Sequence, residues 1–361
     1  MNRRFFLRTT GLGLLGATLP LTAATRRGKV LVVIFQRGAV DGLNMIVPYG
    51  ERAYAASRPS LAIPRNEVLD LDGFFGAHPS LQSLMPFWKD RSLAIVHAAG
   101  SPDATRSHFD AQDFMESGTP GEKSTKDGFL ARAIGKPKSQ SKSMTPRAVA
   151  ITSTLPRIFS GAPDAIASAD LAKFRNERAS ALFASAYPEA FEAARVLGKV
   201  DARGGPLKQI ASLIKSDVGV EVAFTDVGGW DTHAAQKTPL ANNLRRLSED
   251  IAAFAKDLGS RMSDVVLVTM SEFGRTVREN GNRGTDHGHG GVMMLLGGNV
   301  RGGQVHGKWP GLEREQLFEG RDLAVTTDFR DVFGEVLTKH LGVASLAGVF
   351  PGHAVRLAGV L

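Results

Sequence analysis

Short apolar runs recur along this chain, and polar, glycine-rich segments separate them. The clearest is Val265–Met270 (VVLVTM), which reads as a strand buried on both faces in a parallel sheet. Lys29–Phe35 (KVLVVIF) is a β-branched run of the same kind and predicts the first core strand. Ser92–Ala98, Arg147–Thr152, Val218–Thr225 and Gly291–Leu296 predict four more strands. Between them the period lengthens. Leu240, Leu244, Leu247, Ile251, Phe254 and Leu258 recur at helical spacing, and Leu81, Leu84, Met85 and Trp88 share one face after a helix entry at His78-Pro79. Further helices are expected over Pro206–Ile214, in the alanine-rich 167–197, and over Phe329–Leu341 behind a Thr327-Asp328 cap. Strands alternating with helices define an α/β fold with a mainly parallel sheet.

Punctuation sets the remaining organisation. From Glu116 to Pro146 the composition shifts to Gly, Lys, Ser and Pro, which predicts a basic surface excursion around a short amphipathic piece at Phe129–Ile134. Residues 154–214 read as a helical insertion that forms a lid or a layer. Residues 1–24 read as a targeting segment: Arg3-Arg4-Phe5-Phe6-Leu7-Arg8 resembles the twin-arginine export signal, and Thr22-Ala23-Ala24 offers a cleavage site. No other run approaches the ~18 apolar residues needed to span a bilayer. The expectation is a protein carried by the twin-arginine translocase to the periplasm or beyond, with no membrane anchor after cleavage.

The 361 residues allow two domains or one large α/β domain with an insertion. There is no cysteine, so disulfides, thiolate metal sites and cysteine nucleophiles are excluded. The net charge is +8, and Arg3, Arg4 and Arg8 of it lie in the leader. The other basic residues are scattered without an interleaved aromatic stripe, which argues against nucleic acid and leans toward anionic substrates.

Candidate chemistry collects after the predicted strands, where open α/β sheets place their ligand sites. Asp231 and His233 lie two apart beyond a strand, so extended backbone points both the same way. Asp286, His287 and His289 put three metal-ligand types in four glycine-flanked residues. Asp41 follows the first strand in a glycine-flanked turn, as a ligand or as the turn's own polar residue. Glu272 ends the central strand, to meet a metal, orient a histidine or pair with Arg275. Imidazole plus carboxylate without thiolate suits Zn, Mn, Fe or Mg and does not choose among them. Ser107 is a nucleophile at a helix start or simply the N-cap; Thr105 is the rival hydroxyl, and His108 is a ligand or a phosphate donor. Arg106 and Arg275 are the candidates for gripping an anion.

Five stretches, Arg37–Gly50, Ser101–Pro120, Gly228–His233 (GGWDTH), Thr269–Gly281 (TMSEFGRTVRENG) and Gly284–Gly298 (GTDHGHGGVMMLLGG), resemble an exported bacterial family known only as domain of unknown function 1501, in the alkaline-phosphatase/sulfatase superfamily. The resemblance implies a single alkaline-phosphatase-like domain over residues 29–361, with a doubly wound, mainly parallel sheet flanked by helices. It implies a metal-dependent hydrolase acting on an anionic ester, small or polymeric. One ion would be held by Asp231, His233 and His289, and a second by Asp41, Glu272, Asp286 and His287. Ser107 or Thr105 would attack, and Arg275 would stabilise charge on the substrate. Two departures weigh on this. Glu272-Phe273 stands where the superfamily carries Asp-His, and the sulfatase signature Cys/Ser-x-Pro-x-Arg is absent. Phosphoester hydrolysis is thus favoured over a sulfatase, and a non-catalytic binding protein is the rival.

Overall fold

The computed structural model describes residues 28–135, 146–171, 200 and 203–361. Twelve strands lie in this part of the chain. Nine form the main sheet: β1 (Val30–Gln36), β5 (Leu93–Gly100), β6 (Ala148–Ala150), β7 (Ala165–Ala167), β8 (Val222–Val227), β9 (Val265–Met270), β10 (Gly291–Gly297), β11 (Val305–His306) and β12 (Thr327–Asp328). Their order is β11-β5-β10-β9-β1-β8-β6-β7, with β12 also on β5. The remaining three, β2 (Ile46–Val47), β3 (Leu69–Asp70) and β4 (Gly76–Ala77), form a small sheet in the order β2-β4-β3.

Alternation along β1 shows why the sheet is covered twice. Val30, Val32 and Ile34 join one apolar cluster, with side chains from the helices Pro206–Lys215 and Lys237–Leu258. Leu31, Val33 and Phe35 join a second cluster, with the helices Phe129–Ile134 and Phe329–Lys339. Both faces of every central strand are therefore buried, which is what an uninterrupted apolar run requires. The doubly wound, mainly parallel sheet flanked by helices is the fold.

One strand departs from the parallel direction. β10 runs antiparallel to both neighbours, β9 and β5. Residues 271–290 link β9 to β10 without a crossover helix, so the chain turns back at the edge where β9 ended. The start of β10 therefore lies beside the carboxyl ends of β1, β5, β8 and β9.

The expected strands β1, β5, β6, β8, β9 and β10 and the helices Pro206–Lys215, Lys237–Leu258 and Phe329–Lys339 are found to within a few residues at their ends. In contrast, β7 puts a strand of the main sheet inside the stretch 154–214 read as helical. The Leu81 face is a 3-10 turn, Pro79–Leu84, running into the helix Met85–Lys89, with Leu81, Leu84, Met85 and Trp88 all buried. The basic excursion begins later than its composition implied. Glu116 still belongs to the helix His108–Ser117 and is buried, accepting Ile158 N–H at 2.9 Å and pairing with Arg37 at 2.9 Å. The leader, residues 136–145 of the excursion and most of the alanine-rich stretch lie outside the described residues. No helix among the described residues is long and apolar enough to cross a membrane.

Candidate metal centre

Four chain segments deliver side chains to one point on the carboxyl edge of the sheet. The turn after β8 brings Asp231 and His233, and the loop after β5 ends in Ser107, the N-cap of a helix whose first residue is His108. β9 leads directly into Glu272 and Arg275, and the loop before β10 brings Asp286 and His287. His287 is held by an antiparallel bridge to Arg275.

The donor atoms of His108, Asp231 and His287 all lie within 4.8 Å of one another. His108 Nε2 is 3.0 Å from His287 Nε2, and Asp231 Oδ1 is 3.2 Å from His287 Nε2 and 3.6 Å from His108 Nε2. His233 forms a second trio with the same two residues, its Nε2 standing 3.0 Å from His287 Nε2 and 2.9 Å from Asp231 Oδ1.

The other ring nitrogens fix the tautomers. His287 Nδ1 lies 2.9 Å from the Arg106 carbonyl oxygen, which only accepts, so Nδ1 carries the proton. His108 Nδ1 faces Glu272 Oε1 at 2.8 Å, and His233 Nδ1 faces Asp286 Oδ1 at 3.0 Å. The Glu272 bond raises the pKa of His108. In its neutral form each ring, with its proton on Nδ1, turns its Nε2 lone pair toward the other two residues of its trio, one of them a carboxylate. In those neutral forms the lone pairs packed on a carboxylate oxygen repel, and His287 Nε2 faces three acceptors. A cation satisfies all of them. A tetrahedral ion with metal–nitrogen distances of about 2.0–2.1 Å sets its ligand atoms roughly 3.3 Å apart, close to the spacings found here. The donor set fits a divalent metal, with an oxygen acceptor behind every imidazole.

Asp231 is anchored by Arg275. That side chain is buried and its donors are all engaged: Nε on the Ala39 carbonyl, Nη1 on the Thr285 carbonyl and, at 3.4 Å, on His233 Nε2, and Nη2 on Gly38, Trp230 and Asp231 Oδ1, the last at 2.5 Å. Burial pushes the Asp231 carboxyl up, but the Arg275 bond and charge more than reverse this and hold it at about 2. Glu272 is fully buried, and burial raises its carboxyl. The bonds from His108, Gln112 and Gly38 N–H outweigh that and keep it below the usual carboxylate range. The His233 bond lowers the Asp286 carboxyl, which also accepts from Asn280.

The structure sorts the sequence candidates. Asp231, His233 and His287 converge, and Glu272 and Asp286 stand behind imidazoles. Asp41 does not join them: buried beneath the turn, it caps Asn44 N–H, pairs with Arg58 at 2.6 Å and accepts from Gln236. His289 points elsewhere, its ring stacked on Phe318 at 4.3 Å between centroids, where burial lowers its pKa. Arg275 has no donor left for a substrate, and Arg106 is engaged by Asp322 and Glu319. Ser107 Oγ accepts from Asp110 N–H at 3.5 Å as an N-cap, and Thr105 Oγ1 accepts from Ser107 N–H at 3.3 Å. Two trios sharing Asp231 and His287 thus stand where two separate ion sites were expected. His108 enters as a full member; its signal in the sequence was its place directly behind a capping serine, which aims a first-turn side chain off the helix end.

A mainly parallel, doubly wound α/β protein with a His/Asp cluster on the carboxyl edge of its sheet is the class these observations define. Residues 208–351 match the family described as "Protein of unknown function (DUF1501)", the family the sequence resembles. That segment includes Asp231, His233, Glu272 and His287 and leaves out His108. No curated protein matches the chain. Among solved structures, the chain is similar to the C-terminal periplasmic domain of EcEptC from Escherichia coli in complex with Zn, at 10% identity over 76% of this chain and 74% of that one, TM-score 0.37. It is also similar to a protein in the alkaline phosphatase superfamily from Vibrio parahaemolyticus (11%, 76% and 61%, TM-score 0.36). A third likeness is to the phosphonate monoester hydrolase of Agrobacterium radiobacter (10%, 91% and 79%, TM-score 0.33).

Proposed function

We propose that the protein is an exported metal-dependent hydrolase of phosphoesters. The observation that carries this reading is the set of three imidazole Nε2 lone pairs turned toward the Asp231 carboxylate, each ring backed by an oxygen acceptor on Nδ1. His108, Asp231, His233 and His287 would hold the ion, with Asp231 kept ionised by Arg275. A divalent ion held there polarises a phosphoryl oxygen and lowers the pKa of a bound water. The chain supplies the fixed ligand geometry through Glu272, Asp286 and the Arg106 carbonyl. Ser107, one residue before His108, is the hydroxyl to test as a nucleophile against that water. The twin-arginine-like leader supports export, a route that carries folded proteins with metal already in place.

The test is metal analysis of protein purified from the periplasm, followed by turnover on aryl phosphate and aryl sulfate. The expected result is stoichiometric metal and cleavage of the phosphate. His287→Ala should lose the metal and at least about a hundredfold of turnover, since even removing the partner of a ligand costs 10–100-fold. Ser107→Ala separates the nucleophiles: it abolishes turnover if the hydroxyl attacks and spares most of it if water does. Protein isolated without metal overturns the reading, and bound metal without turnover on either ester favours the binding-protein rival.

A further inference from the structure

Beside the His/Asp cluster lies a cleft of about 610 Å³ whose lining includes Arg52, Arg278, Arg314 and Arg321, against the single carboxylate of Glu313. These residues come from separate parts of the chain: the helix Arg52–Ser57, the strand-like stretch after Arg275, and the turn around Arg314–Gln316. The side chains of Arg52, Arg278 and Arg314 make no hydrogen bond or ion pair with another described residue. Arg37, Arg58, Arg132 and Arg275 each end on a carboxylate, and what sets the cleft apart from other carboxylate-free arginines is that three of them gather in one hollow. Four guanidiniums drawn to one hollow repel one another; Asp322 relieves Arg321, and Glu313 is the one carboxylate in the lining for the other three. An anion entering the cleft removes that repulsion and gains planar, bidentate donors. Leu312 and Leu317 give the cleft an apolar wall, suited to the carbon frame that carries such a group.

The cleft adjoins the cluster through the backbone. Residues 275 and 276 bridge to His287 on one side and to Asp322 on the other. Arg321 spans the gap: Nη2 donates to the His287 carbonyl at 2.5 Å, Nε is fixed by Asp322 at 2.9 Å, and Nη1 has no partner among the described residues. We propose that this arginine-lined cleft is a subsite for a second anionic group, phosphate, sulfate or carboxylate, on the molecule whose ester meets the His/Asp cluster. The substrate class is then a multiply anionic ester rather than a simple monoester, an inference that rests on the hydrolase reading.

The experiment uses pyranine, a fluorescent pyrene trisulfonate that does not chelate metals, titrated into the full-length protein at low salt. Wild-type protein should bind it at one site, with added salt weakening the affinity. Arg278→Gln/Arg314→Gln should lose at least about tenfold in affinity, the order expected for two lost charge-assisted contacts at an accessible site. Its aryl phosphate turnover should stay within about twofold of wild type, a small change on the scale where 1.4 kcal/mol is tenfold. Should the double variant fold poorly, Arg52→Gln serves with the same expected direction. Absence of pyranine binding in the wild type, or unchanged affinity in the variants, overturns the cleft even if metal and turnover are normal. Pyranine binding that depends on these arginines in a protein without metal or turnover refutes the hydrolase reading and restricts the cleft to plain anion binding.

Discussion

A carboxylate's role is set by the cation that reaches it. Asp41 and Asp231 both follow parallel strands and both looked like ligands in the sequence. Asp231 stands at the surface end of its turn, where Arg275 takes part of its charge and leaves Oδ1 facing imidazoles. Asp41 sits 1% exposed against Arg58, itself fully buried and tied to the Thr276 and Val277 carbonyls. Nothing in the local spacing around Asp41 announces Arg58, which arrives from seventeen residues on. Asp41→Asn therefore leaves a buried guanidinium without its counter-charge, and should destabilise the protein by about 3–5 kcal/mol. Urea unfolding measures that loss. Metal content in the folded variant should stay at the wild-type value; a parallel drop in metal would make Asp41 a ligand after all.

At the scale of elements, the cluster depends on two loops lying unusually close. A Cβ on Gly274 would meet the Gly290 carbonyl oxygen at 1.9 Å, and one on Gly288 would meet the Arg275 carbonyl carbon at 2.3 Å. Backbone, not a flexible side chain, stands in the way at both positions. The contact lets Gly274 N–H reach the His289 carbonyl and Gly288 N–H reach the Gly274 carbonyl, and so fixes His287. Gly274→Ala must push the 285–290 loop outward by an ångström or so. Overpacking of this kind costs about 1–3 kcal/mol, and the expected outcome is a lower melting temperature together with lost metal. Normal metal content in Gly274→Ala would mean that the loop contact does not position His287. This level also shows what the sequence could reveal. The strands β1, β5, β8, β9 and β10 were legible because burial on both faces leaves an unbroken apolar run. Asp231, His233 and His287 were legible because glycines flank ligand types just beyond strand ends. The antiparallel course of β10 was not, since direction depends on how a loop closes rather than on composition. His289 was misplaced for a related reason: nearness in sequence to His287 says nothing about Phe318, which claims its ring.

For the whole molecule, two buried histidines away from the cluster are a source of acid lability. His97 is buried in β5; its Nε2 donates to the Ile46 carbonyl at 3.0 Å and its Nδ1 accepts Ala98 N–H at 2.9 Å. His78 caps the turn that starts at Pro79, its Nδ1 accepting Ser80 N–H at 3.0 Å. Protonating Nδ1 in either ring breaks that bond and buries a charge. Burial accordingly pushes both down to about 4. In the unfolded chain each titrates near 6.5, so between these values the unfolded state binds more protons than the folded one. Stability is then complete above about pH 6.5, falls as pH drops toward about 4, and stops falling from this source once the folded rings also protonate. Each ring contributes on the order of 3 kcal/mol across that window. Urea midpoints taken from pH 7.5 downward, on metal-free protein so that the cluster's own ligands do not dominate, should decline steeply between these limits. His97→Gln keeps an amide donor for the Ile46 carbonyl but cannot charge. It should start less stable at pH 7.5 and lose less on acidification, and a slope equal to wild type would show that His97 is not a source of the acid lability.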